Sequence, residues 1–231
     1  MADFVIPPPP RPSIAIEGKA ERFAVRRIYC AGRNYRAHVV EMGGNPDREP
    51  PIFFSKPADA VVDTGSTVPY PPLTSDFQFE VELVVAIGGT ACRIDKRDAQ
   101  SVIFGYAAGI DLTRRDLQRA AFKAGMPWEA GKAFDRSAPC GAIKHASGKA
   151  LGAKRIWLTV NGQIKQNSTL DKLVWSVPEL IAELSTGYQL EPGDLIFTGT
   201  PEGVGPIVAG DVIHGSIDSL PDIEITISDA V

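Results

Sequence analysis

Histidine and cysteine, the usual ligands of transition metals, are scarce in this chain of 231 residues, with three of each. Cys30, Cys92 and Cys140 are odd in number, far apart and without CxxC spacing. A disulfide framework and a thiolate zinc site are therefore not expected, and the thiols should be free in a reducing compartment. Positive charge is not in excess either: 24 Lys and Arg stand against 28 Asp and Glu, a formal net charge of −4, and the basic residues are dispersed. That balance argues against a nucleic-acid partner, which needs a concentrated basic surface. No apolar run approaches the ~20 residues needed to cross a bilayer, and no N-terminal stretch combines a basic start, an apolar segment and a small-residue cleavage site. The expectation is a soluble, cytoplasmic protein without a membrane partner. Without a secretory signal, the sequon Asn167-Ser168-Thr169 is read as accidental.

What the sequence does have is many short apolar runs between strong turns. The opening PPPPRP, residues 7–12, can neither join a helix nor donate to a ladder, so residues 1–20 are read as an extended arm before a single domain over 21–231. RRIYC (26–30) and IFFS (52–55) read as strands, and YRAHVVEM (35–42) as a short helix stopped by Gly43-Gly44. VPYPP (68–72) reads as loop. FEVELVVAI (79–87) reads as one long strand with Glu80, Glu82, Val84 and Ala86 on a single face. A short helix over 98–104 is followed by a strand, GYAAGIDLT, that delivers Asp111 near its end. Thr113 and Asp116 have capping-box spacing before an exposed amphipathic helix over 114–123. Asn161-Gly162 predicts a type I′ hairpin, and Ser176, Pro178 and Glu179 predict a helix start that Gly187 closes. Strands outnumber helices and turns are short, so the fold class is α+β, mainly β: a mixed β-sandwich or roll with short peripheral helices.

Three groups of residues carry chemistry. Glu80 and Glu82, ~6–7 Å apart on one strand face, repel unless they are solvated or a cation lies between them. Both acids stand where the strand enters the core, which favours the cation. Asp111 ends an apolar run before a helix and is read either as a cap or as a third carboxylate ligand. Three carboxylates without a histidine or cysteine cluster would suit a hard ion, Mg²⁺ or Mn²⁺. His38 and Glu41, one helical turn apart, are either a surface pair or an acid–base pair in which Glu41 orients the imidazole. His145 and His214 read as ordinary loop and strand residues. GTPEGVGP (199–206) matches no nucleotide-binding pattern, and is either a turn between strands or a carboxylate cradle built from its amides and the Thr198 and Thr200 hydroxyls.

Taken in order, CAGRNYRAHVVEMGG, FFSKP, FEVELVVAIG, GYAAGIDLTRRDLQ, KAGMPWEAGKAFDRSAP and GDLIFTGTPEGVGP resemble the fumarylacetoacetate hydrolase family, in its short acylpyruvate and fumarylpyruvate hydrolase branch. The resemblance implies a metal site at Glu80, Glu82 and Asp111, and a catalytic pair His38 and Glu41 on a segment, residues 36–50, that orders over substrate. It further implies an active-site Lys132, and substrate-binding positions at Arg33, Lys56, Arg115, Gln118 and Thr200. It implies a β-sandwich roll, usually a homodimer, acting on a 2,4-dioxo acid: carbon–carbon cleavage of an acylpyruvate such as fumarylpyruvate. Oxaloacetate decarboxylation and 2-oxo acid isomerisation are alternatives at the same metal. Phe79 and Ile110 depart from residues frequent in relatives, without removing a ligand. If Arg33, Lys56 or Arg115 reaches the acyl end, a dicarboxylate substrate is preferred.

Overall fold

The computed structural model describes residues 4–45 and 49–230. Two sheets hold most of the strands. The larger has eight strands, seven of them in the order Ile52–Lys56, Arg27–Gly32, Asp194–Phe197, Val81–Ile87, Ile103–Ile110, Ala138–Cys140, Val61–Asp63. Lys144–His145 adds to the side of Ile103–Ile110. Most pairs are antiparallel; Asp194–Phe197 runs parallel to Arg27–Gly32, and Ala138–Cys140 parallel to Val61–Asp63. The second sheet has five strands, Gln163–Thr169, Arg155–Val160, Val212–Ile217, Ile223–Ser228 and Ser66–Pro69. Among the described residues four short α-helices lie outside the sheets: α1 Arg36–Glu41, α2 Arg115–Lys123, α3 Glu129–Lys132 and α4 Val177–Gly187.

Both faces of the large sheet are covered, and the period of the strand shows it. Val81, Leu83, Val85 and Ile87 enter the core shared with the five-stranded sheet, where Ile156, Leu158, Ile213 and Ile223 meet them. Val84 and Ala86 enter a second core with Ile14, Phe23, Leu195 and Phe197. All seven residues of Val81–Ile87 are buried, as a near-continuous apolar run requires. The expected roll is therefore what the chain builds.

Two local signals were obeyed closely. Asn161 and Gly162 take φ of 52° and 76° and close the hairpin. Ser176 and Glu179 form a reciprocal capping box at α4. Four expectations differ. The chain is not an extended arm through residue 20, because Ser13–Ala15 pairs with Arg22–Ala24 and buries Ile14 and Ile16. Val68 and Pro69 are strand rather than loop; Pro69 ends an edge strand, where a missing N–H donor is tolerated. The segment near 98–104 is a 3₁₀ turn over Ala99–Val102, and Ile103 and Phe104 are already strand. Thr113 and Asp116 form no capping box at α2: Thr113 accepts from Lys132, and Asp116 accepts from Thr74 and Ser75 at 2.6 and 2.9 Å and from the Leu117 amide of the first turn at 2.9 Å.

The long strand over 79–87 is also interrupted, and the interruption builds the site. Phe77–Phe79 belongs to a small three-stranded sheet with Thr113–Arg114 and Gly205–Pro206, whereas Val81–Ile87 belongs to the large one. Glu80 lies at the crossing. Its neighbour makes the same change: Ile103–Ile110 ends in the large sheet, Asp111 follows, and Thr113–Arg114 joins the small sheet. The Asp111 amide donates to the Glu80 carbonyl at 2.8 Å, so the two acids leave the sheet side by side.

Candidate active site

The crossing opens into a cavity of about 300 Å³ whose lining includes His38, Glu80, Glu82, Asp111, Lys132 and Thr200. One carboxylate oxygen from each of Glu80, Glu82 and Asp111 lies within 4.8 Å of the others, and all three residues are buried. Buried acids at that spacing need positive charge, and its distribution is uneven. Glu80 is held by Arg115 and by Lys132 at 2.8 Å. Asp111 has Lys132 at 2.6 Å and Lys56 at 2.8 Å. Among the described residues no cation pairs with Glu82, whose Oε2 accepts from the Gly199 amide at 2.7 Å.

Proton affinities follow this division. Burial alone would raise the Glu80 carboxyl, but Lys132 and Arg115 outweigh it and hold it well below the usual carboxylate range. At Glu82 burial raises the value, and Asp111 and Glu80 add to it, so the carboxyl is pushed well up. Burial would discharge Lys132, yet Asp111 and Glu80 keep its ammonium charged. That ammonium places its three donors on Glu80, Asp111 and Thr113.

The donor set fits a divalent ion on two observations. Glu82 has no cationic side chain paired with it among the described residues, and Asp111 Oδ1, though close to Lys56, has no hydrogen bond and is sealed from solvent. With oxygen donors only, the set suits Mg²⁺ or Mn²⁺ better than zinc.

Opposite the acids stands His38, 8% exposed on α1. Its Nδ1 lies 3.1 Å from Glu41 Oε2, and Glu41 Oε1 accepts from the Gly203 amide at 2.9 Å. Glu41 therefore ties the imidazole to the GTPEGVGP loop. Gly203 has φ of 94°, and a Cβ there would collide with the Lys165 carbonyl, so this approach requires glycine. The loop's donors serve the protein's own carboxylates, Glu82 and Glu41. Its hydroxyls are engaged as well: Thr198 and Thr200 donate to the Leu83 and Val81 carbonyls at 3.0 and 2.9 Å.

Of the other residues singled out in the sequence, Arg33, Arg115, Gln118 and Thr200 line the cavity. Lys56 does not; it lies behind Asp111, donating to the Leu112 and Lys132 carbonyls. Arg115 is 1% exposed rather than part of a solvated helix, and it also holds Gln78 and Gln118. His214 meets an acid unforeseen from sequence spacing, Asp222 at 3.3 Å, remote from this cavity. Missed altogether were Asn34, which joins the GRNY turn to Trp175 and Thr198, and the outer lining residues Arg119, Phe122, Lys123 and Trp128. The helical spacing of Arg115, Arg119 and Lys123 was the available signal for the last group.

Fold and site together define a class: a mixed β-roll with an all-carboxylate centre suited to a divalent cation, faced by a histidine–glutamate pair. The chain belongs to the fumarylacetoacetate hydrolase family, whose model, described as fumarylacetoacetate (FAA) hydrolase C-terminal, matches residues 27–228. It is 48% identical to a fumarylpyruvate hydrolase of a Ralstonia species over 182 residues, 79% of this chain and 95% of that protein. It is 39% identical to the mitochondrial oxaloacetate tautomerase of Mus musculus over 196 residues, 84% and 88% of the two chains. Among solved structures, the fumarylpyruvate hydrolase of Pseudomonas aeruginosa in complex with Mn²⁺ and pyruvate superposes with a TM-score of 0.94 at 47% identity, covering 98% of this chain and 99% of that one.

Proposed function

We infer that this protein is a metal-dependent hydrolase that cleaves the carbon–carbon bond of an acylpyruvate, giving pyruvate and a carboxylic acid. The observation that carries the reading is the Glu41 clamp, which holds His38 over three buried carboxylates in one cavity. A module that only bound metal would have no use for an oriented imidazole. The relatives named for fumarylpyruvate hydrolysis support the same chemistry.

Glu80, Glu82 and Asp111 would hold Mg²⁺ or Mn²⁺, which supplies Lewis acidity toward the 2-oxo acid end of the substrate. With Nδ1–H donated to Glu41, the His38 Nε2 lone pair is free to take a proton from water. The hydroxide adds to the distal ketone carbon. The bond between that carbon and the methylene then breaks, and its electron pair passes to the pyruvate fragment as an enolate, which takes up a proton. The Lys132 ammonium, kept charged by Asp111 and Glu80, lies where it can stabilise that negative charge.

As parts of the same proposal, the protein is a cytoplasmic homodimer working in the breakdown of aromatic compounds. The three free cysteines support the compartment and the family resemblance supports the dimer. Light scattering that gives a monomer mass would remove the dimer. The deciding assay incubates the protein with acetylpyruvate, fumarylpyruvate and oxaloacetate and either metal, following diketone absorbance and pyruvate release. Loss of diketone with stoichiometric pyruvate is expected. Tautomerisation of oxaloacetate without cleavage of either acylpyruvate would replace the hydrolase by the activity named for the Mus musculus relative.

A further inference from the structure

The cavity is electrically divided. Its inner end holds Glu80, Glu82 and Asp111, and the cations there are committed: Arg115 to Glu80, Lys132 to Glu80 and Asp111. The rest of the lining contributes Arg33, Arg119 and Lys123 and no acid. Arg33 lies 4.8 Å from the Phe122 ring centroid and 3.7 Å from Glu49. Arg119 donates to Asp76 at 3.0 Å through Nη1, with half its side chain exposed. Lys123 makes no ion pair among the described residues.

Helix α2 sets the spacing of these charges. Arg115, Gln118, Arg119, Phe122 and Lys123 follow i, i+3, i+4, i+7 and i+8 and all line the cavity. Arg115 fixes the first turn to the inner acids, so Arg119 and Lys123 stand ~6 and ~12 Å further along the axis at 1.5 Å per residue. The lining is also aromatic: Trp128 packs tilted against Phe54 and edge-on to Phe122, at centroid separations of 5.7 and 6.3 Å. Gly32 makes room for it, since a Cβ there would stand 3.1 Å from the indole. A cavity with acids and their prospective cation at one end, aromatic walls, and at the other Lys123, without an ion pair among the described residues, beside Arg119, whose Nη1 donates to Asp76 outside the cavity lining, matches a long substrate with an anionic group at each end.

We propose that Arg119 and Lys123 form a distal anion subsite that binds a carboxylate at the far end of the acyl group, with the acyl chain against Trp128 and Phe122. The subsite rests on the acylpyruvate hydrolase reading and narrows it to a dicarboxylate substrate. It moves recognition of the second carboxylate away from Lys56 and Arg115, which the inner acids occupy.

Two measurements test it with Mn²⁺ present, on the wild type and on the Arg119→Gln/Lys123→Gln double variant. The first is the affinity for 2-oxoadipate against 2-oxohexanoate, which share a chain length and differ in the distal carboxylate. The second is the ratio of kcat/KM for fumarylpyruvate to that for acetylpyruvate. The wild type should favour the dicarboxylate about ten-fold or more in both, as charge-assisted contacts allow, and the double variant should lose most of that preference. Because each readout is a ratio, general loss of fold lowers both members alike. Equal binding of the two oxo acids by the wild type, or an undiminished preference in the variant, overturns the subsite. Cleavage of both acylpyruvates at equal efficiency would leave the hydrolase standing and the subsite refuted. A charge-dependent binding preference without cleavage would do the reverse.

Discussion

Glu82 is buried beside Asp111 and Glu80 with only the Gly199 amide to satisfy it, and folding raises its proton affinity. Such a group stabilises the metal-free protein below the ordinary carboxylate range, and the contribution is lost as pH rises through the raised value. Glu80 runs the opposite way: its lowered value stabilises the fold above that range and fails as pH falls. We therefore predict that Glu82→Gln raises the Tm of the metal-free protein near pH 8 and that the gain shrinks on acidification. A relief of ~1 kcal/mol corresponds to about 2–4 °C in a chain of this size. The same variant should weaken Mn²⁺ binding sharply. Calorimetry after exhaustive chelation checks the first effect and Mn²⁺ titration the second; a lower metal-free Tm at pH 8 would contradict the charge argument. His38→Ala should reduce kcat ~10²–10⁴-fold, the usual worth of a positioned general base, while Mn²⁺ titrates as before. Glu41→Gln should act in the same direction, and loss of metal from both variants would place α1 in the ion site instead. At this scale spacing marked Glu80, Glu82, His38 and Glu41 as candidates and left a solvated face or a surface pair open, and the family resemblance singled out the same residues together with Asp111. Lys56 and Arg115 were legible as charges but not as partners, since which cation a buried acid recruits depends on chain segments far away in sequence.

Among the elements, α1 depends heavily on its surroundings. It has six residues, no side-chain cap, and its preceding turn is secured by Asn34, which donates to the Trp175 and Thr198 carbonyls and accepts from the Trp175 amide. A helix this short has little stability of its own. We predict that it opens and closes over the cavity, so amide exchange across 36–45 should slow when Mn²⁺ and a 2-oxo acid analogue are added together. Equal protection with and without them would leave α1 a fixed wall. The lid expected over 36–50 also spans residues 46–48, which lie outside the described residues. The Asn-Gly hairpin and the α4 capping box could be read directly, because their partners are two or three residues away. The break at Glu80 could not: nothing within FEVELVVAI marks it, and it exists because Phe77–Phe79 and Val81–Ile87 find different neighbours.

For the molecule as a whole, strand order matters more than strand content. Asp194–Phe197 lies between Arg27–Gly32 and Val81–Ile87, so a late segment separates two early ones at the centre of the large sheet. The early strands cannot complete their ladders by pairing with each other in the native order. Contacts this distant along the chain make closure slow and leave unpaired edges exposed meanwhile. We predict that a chain ending at residue 190 shows no cooperative thermal unfolding, whereas the whole chain does; a sharp transition in the shortened chain would mean the sheet tolerates loss of its centre. The Glu82 amide donor, Gly199, and Gly203, which clamps Glu41, both lie in the loop beyond that strand. During synthesis the ribosome must therefore deliver the chain through residue 203 before Glu82 and Glu41 have the amides that hold them. The three carboxylates are thus made well before the loop that fixes Glu82 and Glu41 around them.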